Sequence, residues 1–149
     1  MSKVIEGTIR SESGFYVGDI CYAMRRDLYH DYWGSKLGFE SGIHTIPEIG
    51  FAFAVDNTAY GDGTYRGSDG FEYSVDAGVI GVVPLELATR RQYEDEDGRV
   101  FAQAGNATFR AEGGVFDIML PDGTAIHIDT TNEYDEEDDD EDWRDEYAY

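Results

Sequence analysis

The sequence predicts a β-rich α+β fold: an antiparallel sheet, or a partial barrel or sandwich, with one main helix and a C-terminal four-strand meander. Aromatic residues favour this class, because eleven Tyr and eight Phe against three Met suit pleated surfaces. Eighteen Gly among 149 residues indicate many turns. The third observation is a series of short apolar segments between residues 99 and 130, separated by turn signals.

The segments of this meander are four predicted strands with short connections. They are RVFAQA, ATFRAE, VFDIML and TAIHIDT, and the turns between them are Gly105-Asn106, Gly113-Gly114 and Pro121-Asp122-Gly123. Two- and three-residue connections of this kind are typical of antiparallel hairpins. Within ATFRAE, Phe109 and its apolar neighbours face one way, whereas Thr108 and Arg110 face the other.

The N-terminal part predicts further strands and the main helix. Strands are expected at 3–10, 14–20, 51–55, 71–75 and 79–83. Residues 22–33 have helical spacing of large side chains and end at Gly34. A shorter helix is expected over 84–91, loops over 34–50 and 56–70, and a turn over 94–98. These strands would complete a second layer, and the helix would cover one open face.

The chain is expected to form a single β-rich domain over 1–132, followed by a disordered acidic tail over 133–149. The tail has eleven acidic residues and one Arg, and its only large apolar side chain away from the end is Trp143. Such a composition cannot bury enough apolar surface to order the chain.

The formal charge of −21 limits the choice of partner. The tail carries −10, and the 21 acidic and 10 basic residues of 1–132 carry −11. Nucleic acids and anionic membranes are disfavoured, because both recruit cationic surfaces. A cationic protein surface or a metal ion is the natural partner. Nine Arg against two Lys, with so many acids, also fits a salt-adapted protein, although a GC-rich genome gives the same bias.

The sequence gives little support for an enzymatic function. Cys21 is expected at a helix start, where the dipole would lower the pKa of its thiol, but no spacing places His30, His44 or His127 beside it. A lone cysteine is more often a small buried residue. The serine-hydrolase elbow, the phosphate-binding glycine loops and zinc-ligand spacings do not occur. A catalytic role is therefore not assigned to any residue.

A divalent-cation site is the second hypothesis. Five carboxylates lie within 21 residues, among glycines: Asp56, Asp62, Asp69, Glu72 and Asp76. Oxygen ligands of this kind suit Ca²⁺ or Mg²⁺. The spacing fits no calcium-loop template, so the plain alternative is that these acids form turns and a solvated surface.

Three segments together resemble a family of small uncharacterised proteins of bacteria, archaea and their viruses. They are GDICY (18–22), TAYGDGTY (58–65) and VDAGVIGVVP (75–84). The resemblance covers roughly 14–90 and implies no activity. It draws attention to Asp19, Asp62 and Asp76 as acids in glycine-flanked turns that could converge on a metal ion, with turn chemistry as the structural alternative.

Three functions therefore remain open. The first is a non-enzymatic acidic module that binds a cationic partner surface, with viral or defence-related mimicry of nucleic acid as one form. The second is a divalent-cation-binding domain using Asp19, Asp62 and Asp76, and the third is a structural or accessory protein of a salt-adapted organism or virus. A polar N-terminus, the lack of an apolar span and the single cysteine favour the cytoplasm. The oligomeric state is left open.

Overall fold

The computed structural model describes residues 4–89 and 98–131. Within them the strands are β1 (Val4–Ser11), β2 (Phe15–Gly18), β3 (Gly42–Ile46), β4 (Phe51–Asn57), β5 (Gly63–Arg66), β6 (Glu72–Val75), β7 (Val79–Pro84), β8 (Arg99–Phe101), β9 (Gly105–Glu112), β10 (Val115–Met119) and β11 (Ala125–Asp129). The helix α1 spans Asp27–Lys36, and single 3₁₀ turns lie at Ile20–Tyr22 and Leu85–Leu87. No helix in the described ranges is long and apolar enough to cross a membrane.

The strands form two antiparallel sheets and a hairpin. One sheet has the order β1-β9-β10-β11, and the other has the order β3-β4-β7-β2-β8. Strands β5 and β6 pair separately as the hairpin. The fold class expected from the sequence is confirmed. The C-terminal segment supplies three strands of the four-stranded sheet, and β1 supplies the fourth by pairing with β9.

The five-stranded sheet is the middle of three layers. One core lies between the two sheets and includes Phe15, Ile80, Phe109 and Phe116. A second core lies between the other face of the five-stranded sheet and the segment around α1, and Trp33 is its largest buried side chain. The strands β2 and β7 are therefore buried at every residue, which explains their continuous apolar sequences.

The four-stranded sheet instead has one solvated face. Buried and exposed residues alternate along β9, β10 and β11, as the sequence pattern of 105–129 predicts. Its outer face is open to solvent over these strands, whereas the loops at the ends of the sandwich join the two sheets.

The main helix begins later than its sequence pattern predicts. Residues 23–25 instead pair with residues 87–89 through an antiparallel β-bridge. The Arg25 N–H donates to the Leu87 carbonyl, and the Thr89 N–H donates to the Ala23 carbonyl (both N···O 2.9 Å). Helix α1 follows as a wide π-type helix, in which the Leu37 N–H reaches the Tyr32 carbonyl five residues back. The same pairing reduces the expected helix over 84–91 to the single turn Leu85–Leu87.

Two strands were expected to be loops. Residues 34–50 contain β3, and residues 56–70 contain β5. Both strands are short and start with glycine, which is depleted in strands, so neither gives a strand signal of its own. The expected turn at 94–98, apart from Gly98, and the tail at 133–149 lie outside the described residues.

Candidate functional site

Asp19 is a fully buried carboxylate that joins two turns at one end of the sandwich. Its Oδ2 accepts hydrogen bonds from the backbone N–H groups of Asp76 (2.8 Å) and Ala77 (2.6 Å). Its Oδ1 accepts a third hydrogen bond from the Cys21 N–H (3.0 Å) and so caps the 3₁₀ turn that follows. Three backbone donors thus satisfy both oxygens of this buried carboxyl group, which would be costly to bury without partners.

Hydrogen bonds continue from the 76–78 turn to the neighbouring loops. The Thr58 N–H donates to the Gly78 carbonyl (3.0 Å), and the Thr58 hydroxyl donates to the Gly61 carbonyl (2.7 Å). The buried Thr130 hydroxyl accepts from the Ala59 N–H (2.9 Å) and donates to the Gly114 carbonyl (2.5 Å). We call this connected surface, made of residues 56–62, 76–78, 113–114 and 129–131, the loop end.

The loop end collects acidic side chains from both sheets. Asp62, Asp76 and Asp129 are exposed there, and Asp56 is half-buried. None of these four carboxylates takes part in an ion pair within the described ranges. The described part of the chain has seventeen acidic and seven basic residues, a charge of −10, and five of its seven cations pair with acids elsewhere on the molecule.

The acidic sequence that follows the last strand starts from this same end. Thr130, which directly follows β11, is tied to Ala59 and Gly114 in the loop end. The next residues of the chain after Thr131 lead into the segment with eleven acids. The described structure therefore stops at the loop end, and the sequence that follows carries a charge of −10 in 133–149.

The three acids of the metal hypothesis lie in neighbouring turns but are used differently. Asp19 holds the 76–78 turn through backbone amides, as described, while Asp62 lies against Gly78. No group of three or more His, Cys, Asp or Glu side chains in residues 4–89 and 98–131 is placed to hold a metal ion. The Ca²⁺ or Mg²⁺ site thus stays a prediction, without an assembled ligand set in these ranges.

Cys21 does not have the low pKa expected of a thiol at a helix start. Burial raises its pKa, and the neighbouring carboxylates of Asp19 and Asp76 raise it further, so the thiol stays protonated at neutral pH. That expectation was wrong because the chain at Cys21 is a single 3₁₀ turn beside two acids.

The three histidines have contacts of their own. The His30 ring packs edge-on against Tyr29, His44 Nε2 lies 2.8 Å from the Glu40 carbonyl oxygen, and His127 Nδ1 lies 2.7 Å from Asp117 Oδ1. A protonated Cys21 without an activating histidine at hand does not make a nucleophile.

The outer face of the four-stranded sheet contains a shallow groove of about 380 Å³. Its lining includes Glu6, Arg110, Asp117, Met119 and His127, and Ser68 closes the groove beside β11. Two acids, one Arg and one His line the groove, so its charge is less one-sided than that of the loop end. The groove therefore has no strong preference for an ion of either sign.

Sequence reasoning missed Thr130 and the register of the outer face. Thr130 ends a predicted strand and looks like any other turn residue, yet its hydroxyl joins two distant loops. The outward direction of Arg110 could be predicted from alternation, but its position between Glu6 and Asp117 depends on strand pairing.

The chain matches no protein-family model, and no significant match to it was found among curated proteins or solved structures. The resemblance of the segments at 18–22, 58–65 and 75–84 to a family of small bacterial, archaeal and viral proteins therefore stays a prediction.

Proposed function

We propose that this protein is a non-enzymatic acidic interaction module that binds a cationic protein surface through its loop end and the acidic segment beyond it. The observation that carries the proposal is the set of unpaired carboxylates on connected loops: Asp56, Asp62, Asp76 and Asp129. Uncompensated charge of one sign destabilises a folded chain through self-repulsion, and a partner of opposite sign removes that cost.

The fixed loop backbone distinguishes the loop end from a surface whose acids serve only to keep the protein soluble. Asp19 and Thr130 fix the backbone of these loops by buried hydrogen bonds, so the acidic residues project from a defined backbone rather than from free loops. Fixed anions on a folded face can compete with a phosphate backbone for a cationic groove, which is the physical basis of nucleic-acid mimicry. Net negative charge also opposes direct binding to nucleic acid.

We place the protein in the cytoplasm, of a host cell if the chain is viral. The single cysteine supports a reducing compartment, since no intramolecular disulfide can form.

Neutralising the loop end tests the proposal. The full-length variant D62N/D76N/D129N is titrated with deca-arginine and decalysine peptides, and binding is measured by calorimetry between about 0.05 M and about 0.5 M salt. We expect the wild type to bind with an affinity that falls as salt rises. The variant should bind roughly tenfold more weakly, because three exposed charge contacts together contribute about 1.4 kcal/mol.

The matched control is D31N/E48Q/D122N, which removes the same charge from exposed acids outside the loop end. It should lose clearly less affinity than the loop-end variant. Equal loss in both variants would favour salt adaptation, where the acids act only by their number, and salt-insensitive binding would overturn the proposal. Heat on titration with Ca²⁺ or Mg²⁺ that disappears in the loop-end variant would favour the cation-binding alternative.

A further inference from the structure

Strand pairing arranges the outer face of the four-stranded sheet in straight rows across β1, β9, β10 and β11. One row, which we call the charged row, consists of Glu6, Arg110, Asp117 and His127. The adjacent row, the neutral row, consists of Thr8, Thr108, Met119 and Ala125. All eight residues are exposed, because directly opposite residues in a sheet point to the same face.

From one edge of the sheet to the other, the charged row runs Glu, Arg, Asp, His. A two-fold axis that is parallel to the strands and passes between β9 and β10 reverses this order in a second copy. Arg110 then faces Asp117 of the second copy, and Glu6 faces His127 of the second copy. The two central pairs therefore join opposite signs and no facing pair joins like charges, which is the self-complementarity that an isologous interface requires. We propose that the outer face of the four-stranded sheet is the contact between two copies of this chain.

The neutral row supplies the apolar part of such a contact. Met119 is 51 % exposed, and Val4, which lies on the same face beyond the charged row, is 43 % exposed. Both are among the few large apolar side chains that remain exposed in the described residues. Across the two-fold axis Met119 faces the shorter Thr108 of the second copy, so that the thioether can enter the groove. An uncharged stripe beside a polar row is the usual anatomy of a specific interface.

The size of the face makes this a weak dimer. Four strands about 4.8 Å apart and five residues at about 3.4 Å each define a face of roughly 20 by 17 Å. Two such faces bury less than the ~1,200 Å² of a standard interface. Two sheets packed face to face cross at about −30°, which displaces facing residues more the farther they lie from the two-fold axis. Arg110 and Asp117 lie nearest the axis and therefore stay best aligned. We therefore expect a weak dimer that forms only at high protein concentration.

Salt should act on this dimer in the opposite direction from its action on a cationic partner. An axis parallel to the strands places both loop ends on the same side. Two copies of charge −21 repel at low ionic strength. At ~0.15 M salt the screening length is about 8 Å, which weakens that repulsion more than it weakens close facing pairs. Dimerisation should therefore strengthen from low to moderate salt, which distinguishes it from the proposed cationic binding.

Charge reversal with mixing tests the geometry. Sedimentation velocity on full-length R110D and D117R should give monomers at concentrations where the wild type dimerises, because each variant places like charges opposite each other. An equimolar mixture should recover the dimer, since both central contacts then join opposite signs. The variant D31R is the control: it changes the net charge as D117R does, but on α1, and it should dimerise like the wild type.

The mixing result separates an interface from a folding defect, because a misfolded variant is not rescued by another chain. Thermal melts of each variant check the fold independently. A wild type that stays monomeric at all concentrations up to ~1 mM would overturn the proposal, because even a weak dimer is populated there. So would a mixture no heavier than its two components.

Discussion

The carboxylate of Asp19 is the single group on which the loop end depends most. It accepts three backbone hydrogen bonds in a fully buried site. We expect D19A to lower the free energy of unfolding by about 3 kcal/mol, because the amides of Cys21, Asp76 and Ala77 lose their acceptor. D19N keeps one carbonyl oxygen and should lie between D19A and the wild type. Urea unfolding monitored by circular dichroism measures both variants. The control is D31A, at an exposed acid, which should change the free energy of unfolding by no more than about 0.5 kcal/mol. An equal effect of D19A and D31A would contradict this role.

Asp69 makes the free energy of unfolding depend on pH in the acidic range. Burial raises the pKa of Asp69, but hydrogen bonds from Arg99 (2.7 Å) and Tyr73 (2.8 Å) outweigh burial and leave it below its usual value of 3.8. A depressed pKa in the folded state contributes stability that is present above pH 3.8 and lost as pH falls below it. We expect the wild type to lose more stability than D69N between pH 5 and pH 3, and D69N to cost about 2 kcal/mol at neutral pH. Urea midpoints at several pH values measure this, and parallel curves for the two proteins would contradict it.

At the scale of elements, the segment that directly follows α1 contains a strained aromatic residue. Phe39 has φ 58°, a left-handed conformation that costs about 1–2 kcal/mol for a residue with a Cβ. Its ring packs edge-on against Trp33, with centroids 5.0 Å apart, and it covers Gly34. Both F39A and F39G lose this packing, but only F39G releases the backbone strain. We expect F39G to be more stable than F39A by about 1 kcal/mol, measured by thermal or urea unfolding. The reverse order would show that the backbone at residue 39 is not strained.

Strands with a regular alternation of apolar and polar residues could be predicted from the sequence. Elements whose form depends on hydrogen bonds to a segment distant in sequence could not. The strands around Phe109 and Ile126 alternate so regularly that sequence alone gives their bounds within a few residues. By contrast, residues 22–26 have helical spacing, but the backbone of 23–25 pairs with 87–89, some sixty residues away. Local spacing cannot report such a partner, because the competing hydrogen bonds belong to a segment that is distant in sequence.

For the whole molecule, the sequence predicts the sign and amount of charge but not its arrangement. The resemblance draws attention to Asp19, Asp62 and Asp76, and in the structure the turns that carry them are neighbours. The use of both Asp19 oxygens by backbone amides could not be foreseen, since it depends on how β2 and β7 pair. The charged row on the outer face depends in the same way on the register of four strands.

Repulsion among the acids of the loop end should lower the stability of the folded protein, although the same acids favour binding to a cationic partner. Asp62, Asp76 and Asp129 lie together at the loop end and form no ion pair within residues 4–89 and 98–131, so D62N/D76N/D129N relieves repulsion in the folded state. At low ionic strength we expect this variant to gain about 1 kcal/mol, or a rise of roughly 3–5 °C in melting temperature. D31N/E48Q/D122N should gain less, since its acids are spread over other surfaces. Both gains should vanish near 1 M salt, where the screening length falls to about 3 Å. Melting curves at low and high salt measure the difference. Equal gains in the two variants would mean that no surface concentrates the repulsion, and the charge would then have to be understood as salt adaptation of the molecule as a whole.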